Sequence, residues 1–210
     1  MSVTAIIPAY NEEKYINNVL KALKEVEEIT QIIVVSDGST DNTVQKALSW
    51  DVQVIALTKN IGKGGALTVG LKYALEENIL FLDADLIGLT KQHIEVLIRP
   101  VLEGQVEMTV GIFEHGRLAT DMAQFISPYL SGQRCLKKKW LEQIDNLAIS
   151  GFGVEIVLNH FAEQNKLPIK IVHLPNMSHV MKEEKLGLVR GFAYRMKMYW
   201  EIAKSVRMGG

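Results

Sequence analysis

Only one cysteine, Cys135, occurs in the 210 residues, so no disulfide can close within the chain, and no Cys/His grouping has the spacing of a zinc site. An excess of either charge is also lacking. The 23 Lys and Arg balance 24 Asp and Glu to a net charge of -1, which predicts no nucleic-acid partner. Nowhere do eighteen apolar residues run together, and no basic stretch precedes the first apolar run, so neither a membrane span nor a signal peptide is expected. These absences fit a protein kept in a reducing cytoplasm. Internal repeats and low-complexity segments are missing as well. What is present is ordinary for a globular domain: 48% hydrophobic and 22% charged residues, in a chain of one-domain size that can bury a sizeable core.

The apolar pattern alternates between strand and helix. Val3 to Ile7 is a short continuous apolar run ended by Pro8, as expected of a strand buried on both faces of a parallel sheet. From Glu13, the residues Ile16, Val19, Leu20, Leu23 and Val26 recur at helical steps. The alternation repeats as a strand over Gln31 to Val35, a helix capped by Asp41 or Asn42 through Leu48, a strand over Val52 to Leu57, a helix after Gly65 to about Glu76, and a strand over Asn78 to Leu82. Thr90 is placed to cap a helix ending near Leu102, before a strand over Val106 to Phe113. This order predicts an α/β fold with a mostly parallel central sheet flanked by helices. Beyond Glu114 the pattern loosens into a polar stretch through Ser131, a basic run Lys137 to Lys139, a helix around Val154 to Ala162 and a strand over Ile169 to Leu174. Between Lys182 and Arg207 stand seven Lys or Arg against three Glu, interleaved with Phe192, Tyr194, Tyr199 and Trp200. That tail reads either as a terminal helix docked with a solvated basic face or as a helix lying on a membrane surface.

Ligands of open α/β sheets bind beyond the carboxyl ends of the strands. Four successive strand ends carry unusual residues: Pro8-Ala9-Tyr10-Asn11-Glu12, Asp37-Gly38-Ser39-Thr40-Asp41, Asn60 to Gly65, and Asp83-Ala84-Asp85. If the strand conformation persists, Asp83 and Asp85 point to one side of the chain, and a divalent cation relieves their repulsion. Hard oxygen ligands favour magnesium or manganese. Gly62, Gly64 and Gly65 around Lys63 leave room for backbone amides and one ammonium to approach a diphosphate where a helix begins. Their spacing departs from both the P-loop and the dinucleotide fingerprint. Asp37 can accept hydrogen bonds from a base or ribose, and Tyr10 can offer its ring to a base or serve as a half-buried structural tyrosine.

The strings IIPAYNEE at 6–13, VVSDGSTDNT at 34–43, NIGKGGAL at 60–67 and LDADL at 82–86 together resemble the nucleotide-sugar glycosyltransferases of the GT-A fold, specifically glycosyltransferase family 2. The resemblance implies a donor nucleotide bordered by Pro8, Ala9, Tyr10, Glu12, Asp37, Ser39, Asp83 and Ala84 and contacted by Lys63. It makes Asp85 the principal ligand of Mg2+ or Mn2+. The second half is similar to enzymes of the glucosyl-3-phosphoglycerate synthase type, through GRLATD at 116–121, LSGQR at 130–134, GFGVEIVL at 151–158 and SHVMKEEKLG at 178–187. That similarity implies an acidic acceptor met by Gly116, Arg117, Thr120 and Arg134, sugar hydroxyls bonded by Glu155, and His179 as a further metal ligand. The expected organisation is a single GT-A domain, with residues 1–113 binding the donor nucleotide, 114–181 binding acceptor and sugar, and 182–210 forming a basic aromatic helix.

On this reading the chain moves a sugar from a nucleotide diphosphate donor, UDP-linked, to a small phosphorylated or carboxylated acceptor, with retention favoured over inversion. Asp85, Glu155 and Lys63 are the residues expected to carry the chemistry. Two alternatives stand beside it. The basic aromatic tail suits a polyprenyl phosphate acceptor and peripheral membrane contact, and a sugar-phosphate nucleotidyltransferase uses a similar sheet. A homodimer is left open.

Overall fold

The computed structural model describes residues 1–113, 131–144, 147 and 153–179. The expected acceptor contacts Gly116, Arg117 and Thr120 and the basic tail lie outside the described residues. Met1–Ser178 forms one compact unit, and His179–Gly210 forms a second, of which only His179 is described.

In chain order the elements are β1 (Val3–Ala9), α1 (Ile16–Lys24), β2 (Ile29–Ser36), α2 (Thr43–Leu48), β3 (Gln53–Ala56), α3 (Lys63–Leu71), β4 (Asn78–Phe81), β5 (Leu86–Ile87), α4 (Lys91–Leu102), β6 (Met108–Phe113), β7 (Arg134–Lys137), α5 (Lys138–Leu141), α6 (Val154–Gln164), β8 (Ile169–Leu174) and β9 (Ser178–His179). The main sheet has the order β3-β2-β1-β4-β7-β6-β8. All its neighbouring pairs are parallel except the two made by β7, which runs antiparallel to both β4 and β6. The expected mostly parallel α/β fold is the one observed. Strand order reverses beside β1, with β2 and β3 on one side and β4 on the other, and such a switch point opens a crevice at the strand ends.

The near-continuous apolar character of β1 follows from its place inside the sheet. Val3, Ala5 and Ile7 pack on one face with Val19, Leu20 and Leu23 of α1 and Ile94, Leu97 and Ile98 of α4. Ile6 packs on the other face with Ala66 and Leu67 of α3 and with Val154 and Leu158 of α6. Successive strand residues point to opposite faces, so a strand covered by helices on both sides must be apolar throughout.

Several boundaries differ from the sequence reading. Helix α1 starts at Ile16 because Glu13 to Tyr15 form a turn, and the Tyr15 and Ile16 amides both return to the Glu12 carbonyl. Helix α3 starts at Lys63 and takes Gly64 and Gly65 into its first turn, where both are buried. Thr90 caps α4 as expected, in a reciprocal capping box with His93. Strand β7 is missed by the sequence reading, because Cys135 and Leu136, its only apolar residues, stand between Arg134 and the basic run and give no periodicity to detect.

Helix α3 lies close against β1. A Cβ added at Gly70 would stand 2.5 Å from Ile6 Cγ2 and 3.2 Å from Val35 Cγ2. Ala in place of Gly gains up to about 1 kcal/mol of helix propensity, whereas overpacking a closed core costs about 1–3 kcal/mol. Gly70→Ala is therefore expected to lower the midpoint of urea unfolding, and a raised midpoint would contradict the close packing of α3 on β1.

Candidate active site

The carboxyl ends of β1, β2 and β4 come together as the strand pairing requires. The Asp37 amide donates to the Ala9 carbonyl at 2.8 Å, which joins the loop after β2 to the end of β1. Beyond that point the two loops are laced by side chains. The Asn11 amide donates to Ser39 Oγ, the Thr40 amide donates to Asn11 Oδ1, the Glu12 amide donates to Thr43 Oγ1, and the Glu13 amide donates to Asp41 Oδ2. Asn11 takes a positive φ of 57°, a conformation that asparagine tolerates better than most residues. Pro8 and Ala9 end β1, with Ala9 buried, while Tyr10 stands about half exposed beyond them. Tyr10 thus keeps the freedom to face a base, and Glu12 is buried beneath the loop.

Asp37 is 4% exposed, and each of its carboxylate oxygens accepts from a backbone amide. Oδ1 accepts from the Ile61 amide at 2.7 Å, and Oδ2 accepts from the Gly62 amide at 2.9 Å. Of the glycines that the sequence reading set near a diphosphate, Gly62 thus gives its amide to Asp37. A carboxylate bonded by two adjacent backbone amides, one on each oxygen, holds the loop in place. Gly38 completes the contact: at φ 72° its Cα faces the Lys59–Asn60 backbone, and a Cβ there would stand 2.7 Å from the Asn60 nitrogen.

The loop so fixed delivers Lys63. Its ammonium lies 2.5 Å from Asp83 Oδ1 and 2.6 Å from Glu155 Oε1, with side chains 32%, 28% and 15% exposed respectively. Gln133 donates from Nε2 to Asp83 Oδ2 at 2.8 Å. Gly132 presses on the same pair, since a Cβ there would lie 2.6 and 2.8 Å from the two Asp83 carboxylate oxygens and nearer still to Lys63 Nζ. Burial alone would lower the Lys63 pKa, but Asp83 and Glu155 together hold it well above the ordinary lysine value. Lys63 is a fixed cation between two carboxylates brought from β4 and α6.

Strand β4 ends at Phe81, and a turn covers Ala84 and Asp85. The expectation that Asp83 and Asp85 share one side through a persisting strand is therefore not met, because alternation holds only in extended backbone. Ala84 is buried, and Asp85 is half-buried in the loop. Among the described residues no group of three or more His, Cys, Asp or Glu is gathered into a cage. A magnesium or manganese ion is commonly held by one or two carboxylates together with substrate phosphates, and the part-exposed Asp85 beside Asp83 fits that kind of hard-oxygen site. Just beyond it, Gly88, at φ 79°, faces the chain that leads towards His179: a Cβ there would stand 2.5 Å from the Asn176 carbonyl oxygen. His179 begins the second unit, and its side chain is not described.

Arg134 requires a correction. Expected to face an acceptor, it is 0% exposed, with Nε donating to the Ser131 carbonyl at 2.8 Å and Nη1 to Asn159 Oδ1 at 2.7 Å. A guanidinium enclosed between β7 and α6 cannot reach a ligand from solvent. Gln133 and Gly132, by contrast, carry roles at Asp83 that no one of their neighbours announces. Their only signal is membership of the LSGQR string.

Two outcomes follow from the lysine cluster. Because its partners raise the Lys63 pKa, the stability it contributes is complete below the unfolded value of 10.5 and is lost only as pH rises beyond it. The stability difference between wild type and Lys63→Met, from denaturant unfolding, should stay flat from neutral pH to about 10 and shrink only above the ordinary lysine range. A difference that collapses near neutrality would contradict the pairing. Gly132→Ala should leave the fold cooperative but weaken nucleotide-sugar binding measured by calorimetry. Unchanged binding would mean that the Lys63–Asp83 pair is unimportant to the site.

The profile of the family described as "Glycosyl transferase family 2" matches residues 4–148, more than half of the chain. The chain is 38% identical over 102 residues to 4,4'-diaponeurosporenoate glycosyltransferase of Staphylococcus aureus, a match covering 46% of this chain and 27% of that protein. It is 39% identical over 107 residues to dolichyl-phosphate beta-glucosyltransferase of Drosophila melanogaster, a match covering 43% of this chain and 32% of that one. The chain thus spans about a third or less of the length of these relatives. Among solved structures it is similar to glucosyl-3-phosphoglycerate synthase from Mycobacterium tuberculosis in complex with phosphoglyceric acid. The TM-score is 0.74 at 25% identity, covering 85% of this chain and 72% of that one. The same enzyme in complex with Mn2+, uridine diphosphate and glucosyl-3-phosphoglycerate gives a TM-score of 0.72 at 25% identity, with the same coverage. A mostly parallel sheet whose strand ends gather Lys63, Asp83 and Glu155, read with the match over residues 4–148, makes this chain a member of glycosyl transferase family 2 with the GT-A fold.

Proposed function

We propose that this chain transfers a sugar from a UDP-linked donor to a small acceptor bearing phosphate or carboxylate, with retention at the anomeric carbon. The observation that carries the reading is the Lys63 ammonium held between Asp83 and Glu155 at the switch point of the sheet. The similar Mycobacterium tuberculosis enzyme is described in complex with Mn2+, uridine diphosphate and glucosyl-3-phosphoglycerate, which supports both the donor class and the acidic acceptor.

Breaking the bond between an anomeric carbon and a diphosphate builds negative charge on the leaving group and positive charge on the sugar ring. Tyr10, half exposed beyond β1, borders the base, and the loop held by Asp37 fixes Lys63 at the phosphate end of the site. Lys63 supplies a full positive charge that needs no reorganisation, so it stabilises the leaving diphosphate more in the transition state than in the ground state. Asp83 sits next to Lys63 and orients the ribose. Glu155, in the first turn of α6, accepts hydrogen bonds from sugar hydroxyls and holds the ring with its reacting face towards Lys63. Asp85 would hold a divalent cation, which when bound adds positive charge at the leaving diphosphate. Arg117, with Gly116 and Thr120, is the proposed acceptor contact.

A polyprenyl phosphate acceptor is the second reading, favoured by the similarity to dolichyl-phosphate beta-glucosyltransferase. No helix among the described residues is long and apolar enough to cross a membrane. Liposome sedimentation separates the two acceptors: salt-sensitive binding to anionic vesicles favours the lipid.

The proposal is tested by thermal shift with UDP-, GDP- and ADP-sugars, with and without manganese. A ligand at 100 times its dissociation constant stabilises the native state by about 2.7 kcal/mol. A manganese-dependent shift with a UDP-sugar, lost in Asp85→Ala, is expected. No shift with any nucleotide sugar would overturn the donor assignment, and an inverted product anomer by NMR would overturn retention.

A further inference from the structure

Among the described residues Arg134 has the largest side chain enclosed without any exposure, and the donor chemistry does not call on it directly. Burying a guanidinium is costly unless its charge is compensated and its N–H groups are bonded. Burial pushes its pKa down to about 10, and Glu155 is the charge that counters the fall. The cation is therefore retained at neutral pH, within electrostatic reach of Glu155.

Its bonds run to both walls of the site. On one side Nη1 donates to Asn159 Oδ1 in α6, and Asn159 follows Glu155 by four residues, so the two side chains share one face of the helix. On the other side Nε donates to the Ser131 carbonyl, at the start of the turn whose Gly132 presses on Asp83 and whose Gln133 donates to Asp83. Ser131 Oγ also bonds Gln133 Oε1 at 2.9 Å, which fixes the face that Gln133 presents. Asn159 Nδ2 is buried and has no hydrogen-bond partner among the described residues. Leaving a buried donor unsatisfied costs about 1–3 kcal/mol. An apolar residue of the same shape would avoid that cost, so the asparagine is explained by the one bond its oxygen makes to Arg134.

We propose that Arg134 is a positioning residue that holds Glu155 of α6 in place beside Lys63, anchored to Asn159 on the helix side and to the Ser131 carbonyl on the other. The inference rests on the reading of Glu155 as the carboxylate that orients the sugar. Arg134 touches neither substrate nor reacting atoms, so its loss should slow turnover and leave the affinity for donor nearly unchanged.

The test is a pair of double-mutant cycles on the full chain with a UDP-sugar donor. Arg134→Lys keeps a charge but loses the two-sided fork, and misplacing a catalytic group costs roughly 10- to 100-fold in kcat. The donor KM should change by less than about two-fold, because residues that act as a unit lose turnover without losing ground-state binding. In the Glu155→Gln background the same substitution should add almost nothing, since groups acting through one another are non-additive. Asn159→Leu removes only the helix-side anchor, cures the unsatisfied amide and should fold, so it gives the same kcat loss if Arg134→Lys does not fold. The second cycle reads unfolding midpoints: Arg134→Met should destabilise the wild type but restore stability to Glu155→Gln. Independent, multiplicative kcat losses, an Asn159→Leu enzyme with full turnover, or additive stability effects would each overturn the clamp. Full transfer by Glu155→Gln would overturn the role given to Glu155, and with it the catalytic consequence proposed for Arg134. That failure is recognisable because the stability coupling would persist.

Discussion

Two carboxylates and one ammonium, gathered at the switch point of the sheet, set the constraint on which the rest of this molecule depends. Asp83 and Glu155 both approach Lys63 Nζ, and in a partly enclosed site they would repel each other strongly without it. The three residues come from the loop after β4, from the first turn of α6 and from the first residue of α3. Each element must therefore be held to within a fraction of an ångström. The sheet supplies that rigidity for β4, which pairs with β1 on one side and β7 on the other.

The position of Lys63 is controlled from further back. Asp37 spends its carboxylate on the Ile61 and Gly62 amides, and Gly38 allows the Lys59–Asn60 backbone to come close enough for those bonds to form. Asp37, expected at the donor nucleotide, also supports the loop that carries the cation. Glycine plays the same part on the opposite wall, where Gly132 lets the turn before β7 lie directly against Asp83. The site is shaped as much by missing side chains as by present ones.

Much of the fold was readable because it is written in periodicity. The continuous apolar runs of β1 and β4, the helical spacing from Ile16 to Val26 and the Thr90 cap each reflect a local rule with a physical cause. Strand β7 was not readable, since two apolar residues between charged ones carry no period. Its antiparallel insertion between β4 and β6 is nevertheless what brings Ser131, Gly132, Gln133 and Arg134 to the site. A residue type was equally misleading at Arg134, which as an arginine in a polar string suggests a surface contact yet is fully enclosed.

By itself the sequence determined the α/β class, the alternation of strands and helices through β6, and the loops after the strands as the place to seek a site, because these follow from local patterns and from the rule for open sheets. It also determined the family, through motifs that lie in those loops. Only the tertiary structure decided which groups meet. Lys63 and Glu155 stand 92 positions apart and bond at 2.6 Å, and no periodicity encodes that distance. It likewise decided that Asp37 binds backbone and that Arg134 lies beneath the site, because burial and charge compensation are properties of packed neighbours that a linear pattern does not carry.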